Sequence, residues 1–240
     1  MGATRAKWRA NQLAFYDGTT YETVRPVAPI YLYDDFFGTA LNTDIWVEVE
    51  TNNATKAIGT SCLLYTLTNT DQIQDAGVYG IQSKPWNIDK GLIFEARVAV
   101  TVLPTVTSEV VIGVQNDDWV TNSNLVAGGD EVAAHAYFVL NGATGTGSTL
   151  VLYTDDTGAD NDAVATGITV VAGAYHVYRI DFTDSAAVRF YYDGAQVGTS
   201  YKLNTVAALM VQPLVMASKK AGAGLGAISI DYIRLWQATR

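Results

Sequence analysis

Apolar and polar residues alternate with a period of two over most of the chain, the spacing of strands with one buried face. Leu92, Phe94, Ala96, Val98, Val100 and Val102 alternate with Ile93, Glu95, Arg97, Ala99 and Thr101, until Pro104 removes a backbone donor. Val110, Ile112 and Val114 predict the next strand, ended by Asn116-Asp117-Asp118. Tyr137–Leu140 and Leu150–Tyr153 flank a turn-forming run from Asn141 to Gly147. Tyr178, Ile180 and Phe182 alternate with Arg179 and Asp181; after Thr183-Asp184-Ser185 come Val188, Phe190 and Tyr192, and Asp193-Gly194 closes a hairpin. Ile228–Trp236 is apolar on both faces, the pattern of a central strand. With strands at roughly 10–15 residue spacing and no convincing helix between them, the pattern predicts an all-β antiparallel sandwich over residues 31–240. Leu203–Gln212 fits a strand or a short helix equally.

The segment Met1–Ile30 has neither period. Trp8, Leu13, Phe15 and Tyr16 are scattered among polar residues, and Pro26 and Pro29 fix an extended linker. It predicts an N-terminal arm outside the core with no regular strands. Its charge sets it apart: residues 1–25 carry Arg5, Lys7, Arg9 and Arg25 against Asp17 and Glu22, while the whole 240-residue chain has net charge -9. A basic segment rich in aromatics has the composition of an interface and not of a disordered tail. The acidic balance argues against a phosphate-driven nucleic-acid binder. Cys62 is the single cysteine, so no internal disulfide or Cys-rich metal site can form. No apolar run long enough for a membrane helix and no signal-peptide core is visible, so cytoplasmic synthesis is the expectation.

Several segments together resemble the concanavalin A-like lectin/glucanase superfamily. These are Asp34-Asp35-Phe36-Phe37-Gly38-Thr39-Ala40-Leu41-Asn42-Thr43-Asp44-Ile45-Trp46, Gly91–Val98, the hairpin Tyr178–Asp184 to Val188–Gly194, and the closing Ile230–Trp236. The resemblance implies a jelly roll of two large sheets. It leaves function open, because that fold hosts lectins, glycosidases, lyases and structural modules.

The resemblance also says where catalysis would sit. Laminarinase-like hydrolases of the superfamily carry acid and nucleophile on one strand as Glu-x-Asp-x-(x)-Glu, the separation a retaining mechanism needs. Here the strand expected to carry them reads Glu109-Val110-Val111-Ile112-Gly113-Val114-Gln115, and none of the six glutamates begins that motif. No catalysis is expected. Glu48 and Glu50 share a strand face, as many solvated strands do. His135 and His176 read as half-buried strand residues, and Cys62 as a structural thiol. The acidic run Asp155–Asp162 reads as a solvated hairpin loop. The resemblance offers Asp231 as a ligand to a structural calcium that some members bind, with a hydrogen-bonding aspartate at a sheet edge as the equal alternative; no other cofactor is expected. Trp86, Trp119 and several tyrosines are the candidate platforms for a sugar.

The opening Ala10–Val24 also resembles the start of tailed-phage virion proteins encoded near the major capsid protein. That likeness implies a capsid decoration, or cement, protein on the outside of a phage head. Its arm residues Arg5, Trp8, Arg9, Leu13, Phe15 and Tyr16 would then bind the major capsid protein, and it would assemble as a homo-oligomer, a trimer by symmetry. The alternatives are a carbohydrate-binding module and a divergent glycoside hydrolase.

Overall fold

The computed structural model describes residues 4–9, 12–17, 23–24, 30–59, 61–70, 72–80, 86–117, 119, 134–144, 147–156, 161–203, 209–220 and 222–238, backbone alone for residues 4–24 and 144. Three strands lie in the N-terminal segment: β1 (Thr4–Arg9), β2 (Gln12–Asp17) and β3 (Thr23–Val24). They form an antiparallel sheet of their own. This corrects the expectation of an arm without regular strands. The ladder sets Trp8 opposite Leu13 and Ala6 opposite Phe15, a match between strands that no period within either strand reveals.

The rest of the described chain is a sandwich. Its strands are β4 (Ile30–Asp34), β5 (Trp46–Glu50), β6 (Thr55–Ile58), β7 (Leu63–Leu67), β8 (Gln74–Gly80), β9 (Trp86–Asn87), β10 (Leu92–Val102) and β11 (Ser108–Gln115). They continue as β12 (His135–Asn141), β13 (Thr149–Asp155), β14 (Asn161–Thr169), β15 (Tyr175–Phe182), β16 (Val188–Tyr192), β17 (Ala195–Tyr201), β18 (Met210–Lys219) and β19 (Gly226–Gln237). One sheet runs β17-β16-β15-β10-β19-β7-β6, with β4 beside the second half of β19. The other runs β14-β13-β12-β11-β18-β8-β5, with β9 beside the start of β18. Every described pairing is antiparallel. The ambiguity at Leu203–Gln212 resolves to strand from Met210 onward, residues 204–208 lying outside the described set.

The alternation read from the sequence separates inward from outward positions, although Ile93, Glu95 and Ala99 of β10 are buried as well and Val102, read as an inward residue, is 40% exposed at the strand's end. Leu92, Phe94, Ala96, Val98 and Val100 of β10 face Val110, Ile112, Phe138, Leu152 and Val215 of the opposite sheet across one core. Phe138 sits edge-on to Tyr178 and Phe190, ring centroids 5.4 and 5.1 Å away, which interlocks the two layers. Asp193 and Gly194 both take positive φ, 48° and 81°, and form the two-residue turn that Tyr192↔Ala195 pairing requires. Pro213 lies in mid-sheet without a donor to offer; β18 there passes from pairing with β9 at Met210–Val211 to pairing with β8 from Leu214. Lys219, fully buried, donates to the carbonyls of Thr68, Thr70 and Gly222 at 2.6, 2.7 and 3.1 Å, so backbone dipoles replace its hydration shell.

Burial pushes the phenols of Tyr65, Tyr178, Tyr192 and Tyr232 well above their ordinary value of 10.0; for Tyr65 the neighbouring Glu48 adds to it, and for Tyr232 a hydrogen bond to Glu95. A pKa raised in the folded state means that the unfolded chain releases protons first. The stabilisation is complete below about pH 10 and is lost as pH climbs from there toward the folded-state values. In a spectrophotometric titration these tyrosinates should therefore emerge together with loss of the β circular-dichroism signal. Full tyrosine ionisation with the fold intact would contradict this burial.

Candidate functional site

Strand β11 is the strand on which the resemblance to the glucanases would place catalytic carboxylates. It lies in mid-sheet between β12 and β18. Its outward residues are Glu109, Val111, Gly113 and Gln115, so the strand carries a single carboxylate at one end. The ladders align these with their neighbours in four rungs: Asp75-Ser218-Glu109-Asn141, Gly77-Met216-Val111-Val139, Tyr79-Leu214-Gly113-Tyr137, and Gln212-Gln115-His135-Asp155. The middle of this face is a second apolar cluster with Trp119 and Tyr153, and all of it is buried. The Tyr137 hydroxyl donates to Gln115 Oε1 at 2.6 Å, and His135 stacks on the Tyr137 ring at 4.3 Å. The outward residues of these rungs other than Asp155 are buried.

The outer face of the other sheet is open. Two adjacent rungs cross five strands, from β16 through β15, β10 and β19 to β4. One reads Tyr191-Arg179-Glu95-Arg234-Tyr33; the next reads Arg189-Asp181-Ile93-Trp236-Tyr31. Four interstrand spacings make each rung about 19 Å long. Tyr31 and Tyr33 are 56% and 46% exposed at one end. Trp236 lies between two guanidinium groups, Arg234 at 5.1 Å and Arg179 at 5.7 Å from the ring centroid. Arg179 also covers Tyr191 at 5.5 Å, and Arg97 covers Tyr175 at 4.6 Å.

The charges on this face are matched in place. Glu95, the most deeply buried of them, accepts from Arg234 Nη2 and from the Tyr232 hydroxyl, each at 2.6 Å. Arg179 Nη2 donates to Asp181 Oδ2 at 2.9 Å, and Arg97 Nη1 to Asp231 Oδ2 at 2.5 Å. The hydrogen bond to Asp231 is the main cause of a raised Arg97 pKa. For Arg234 burial pulls the pKa down, but the Glu95 hydrogen bond and charge outweigh it and the net shift is upward. Planar hydrogen-bonding groups thus lie beside aromatic rings on a surface with little net charge.

The register explains how Asp231 comes to lie there. Tyr232 pairs with Arg97 and Ile230 with Val98, so Asp231 is the extra residue of a bulge. Ile230 and Ile233 both stay in the core, and the two residues between them both face outward. Asp231, expected as a calcium ligand or a hydrogen-bonding aspartate, has a carboxylate oxygen on Arg97, and no group of three or more His, Cys, Asp and Glu side chains gathers among the described residues.

Other candidates fall elsewhere. Trp86 and Trp119 are no platforms, being 4% and 8% exposed, because each packs into an apolar cluster. Glu48 does not pair with Glu50 for chemistry: its two oxygens take Lys56 Nζ at 2.6 Å and the Tyr65 hydroxyl at 2.9 Å, tying the two sheets together at one edge. His135 is buried outright and not half-buried, and His176 lies 2.7 Å from Asp193 through Nδ1. Cys62 is half-buried. The middle of the acidic run, 157–160, and the side chains of Arg5, Trp8, Arg9, Leu13, Phe15 and Tyr16 lie outside the described residues. Trp236, Tyr31, Tyr33, Arg179, Arg234 and Glu95 were not singled out beforehand. The usable signal was charge at the outward positions of strands whose inward positions are apolar.

No protein-family model and no curated protein matches this chain. Solved structures do. The Emp47p carbohydrate recognition domain superposes with a TM-score of 0.61 at 11% identity, over 87% of this chain and 95% of that one. A structure of endo-acting O-glycanases from human gut microbiota, which initiate mucin breakdown, gives 0.61 at 13% identity, over 86% and 98%. LamAcat from Zobellia galactanivorans gives 0.59 at 14% identity, over 86% and 96%. At such identities the likeness is one of fold: the chain is a concanavalin A-like jelly roll, the fold of carbohydrate-recognition domains and glucanases.

Because Glu95 is nearly enclosed and holds two partners, Glu95→Leu should lower stability by about 1–3 kcal/mol, the cost of stranding Arg234 and the Tyr232 hydroxyl. Urea unfolding measures it. A change below about 0.5 kcal/mol, as for an ordinary exposed ion pair, would show that the rung is not coupled to the fold.

Proposed function

We propose that the chain is a carbohydrate-binding domain that holds a glycan on the outer face of the sheet running from β17 to β6, without cleaving it. The observation that carries this is the double rung around Trp236 and Tyr33. The exposed rings of Tyr31 and Tyr33 suit the apolar faces of pyranose rings, and the guanidinium and carboxylate groups beside them and around Trp236 suit hydroxyls. The fold shared with carbohydrate-recognition domains supports the same reading. Since each central guanidinium already has a carboxylate, a neutral polymer is the better match than a polyanion.

Two other readings are weaker. Glucanases share the fold, but β11 carries Glu109 as its single carboxylate and its outward residues are buried. The capsid-decoration reading rests on the N-terminal segment, and none of the structures named above is a virion protein.

A panel of polysaccharides in pull-down and affinity electrophoresis tests the proposal. At least one neutral glycan should be retained, Trp236→Ala and Tyr33→Ala should each weaken it about tenfold, the effect of losing one stacking contact, and no new reducing ends should accumulate. Retention that both variants leave unchanged would refute the site, and steady release of reducing ends would refute the non-catalytic reading.

A further inference from the structure

Beside Tyr33 the same sheet has a gap. Strand β4 ends at Asp34, opposite Ile233, and β7 begins at Leu63, opposite Ile230. The two residues of β19 between these positions, Asp231 and Tyr232, pair with neither strand on that side. A cavity of about 290 Å3 opens against both strand ends, walled by Tyr33, Phe36 and Phe37, backed by Leu41, Ile45 and Leu63, with Asp34 and Asn42 as its polar groups.

The loop that closes the cavity is held in shape at a cost. Phe36 takes a left-handed φ of 52°, a strained conformation for a residue with a side chain. Two contacts hold it: Asp34 Oδ1 accepts the Phe36 amide at 2.8 Å, and the Phe36 ring packs on Trp46 at 5.6 Å. Asp34 Oδ2 meanwhile accepts the Trp46 indole N–H at 2.7 Å. The reversal that buries Phe36 turns Phe37 out to 74% exposure at the cavity wall. An aromatic ring is thus displayed on a fixed turn, where core packing alone would hide it.

We infer that this cavity is a subsite for one uncharged hexopyranose ring. The volume is at the lower limit of small-molecule pockets, enough for a single ring and not for an oligosaccharide. Aromatic walls with a carboxylate and an amide at hand match a ring with one apolar face and several hydroxyls. Among the described residues no Lys or Arg lines the cavity, while Asp34 and the adjoining Asp35 place negative charge at it, which disfavours uronic acids. Tyr33 belongs to both places: its ring stands 5.8 Å from Tyr232 on the open face and forms a wall of the cavity. A glycan on the rungs would end with one residue in this gap. The ligand class rests on the proposed glycan-binding role, whereas the cavity does not.

Two indoles make the test specific, because Trp46 reports the cavity through Asp34 and Trp236 reports the open face. The full chain would be titrated with glucose, galactose, mannose and N-acetylglucosamine, with glucuronate and galacturonate as charged controls, while the indole N–H signals are followed by NMR. At least one neutral sugar should move the Trp46 signal saturably and the uronates should not. Phe37→Ala should weaken that sugar about tenfold, and Ala40→Trp, which fills the cavity from an exposed position, should abolish the shift. If no neutral sugar moves Trp46, or if the shift survives Ala40→Trp, the subsite is wrong. Neutral oligosaccharides that move Trp236 but never Trp46 would sink the subsite and spare the open face. Monosaccharides that move Trp46 while no oligosaccharide moves Trp236 would do the reverse.

Discussion

At Asp231 strand β19 carries a residue that has no partner on β10, an offset that β10 returns at Thr101, and much of the molecule's surface chemistry follows from where Asp231 goes. The strand is central, so its inward positions must stay apolar on both sides of the irregularity; Ile228 and Ile230 before it and Ile233 and Leu235 after it are all in the core. Burying an extra aspartate among them would cost several kcal/mol. The bulge resolves the conflict by turning Asp231 and Tyr232 outward together. From there Asp231 reaches Arg97 and Tyr232 reaches Glu95. The same irregularity coincides with the break between β4 and β7, so one added residue accompanies both the ion-paired face and the gap next to it.

The two outer faces solve the same problem in opposite ways. On the sheet containing β11, outward positions are mostly apolar and are buried, with polar groups confined to the end rungs. On the sheet containing β10, outward positions of the two rungs are mostly charged or aromatic, and Glu95, Arg97, Arg179, Asp181, Asp231 and Arg234 each have a partner two residues or one strand away. Exposed ion pairs of this kind add little stability singly. Their effect here is positional: the guanidinium planes are held against Trp236, Tyr191 and Tyr175, so flat groups are presented in fixed orientation. A surface prepared in this way loses little side-chain entropy when a ligand settles on it.

That contrast bears on function more than the fold does. A concanavalin A-like jelly roll is compatible with binding and with hydrolysis. Hydrolysis by two carboxylates needs both on an accessible face at a set separation. Binding needs only a preorganised, wettable, partly aromatic surface, and the outer face of the β10 sheet is of that kind.

The sequence by itself determined which residues of its strongly alternating segments form strands and, Val102 at a strand end aside, which of their faces enter the core. Period-two alternation is local, and each of Leu92–Val102, Val188–Tyr192 and Asp193-Gly194 states its own conformation to its neighbours within the chain. It also determined that no acid ladder stands on β11, since that is a matter of residue identity. Only the tertiary structure decided lateral neighbours. Glu95 meets Tyr232 across 137 residues and Arg97 meets Asp231 across 134, and nothing in either segment encodes the other's register. The pairing of Trp8 with Leu13 was missed for the same reason at shorter range. The tryptophans that looked available, Trp86 and Trp119, were taken up by packing, while Trp236, expected in a strand apolar on both faces, lies on an outer face of β19 that also carries Asp231 and Arg234, beside two arginines. Burial depends on what lies on the far side of a strand, and that is set by the order of strands in a sheet, a property of the whole chain and not of any stretch of it.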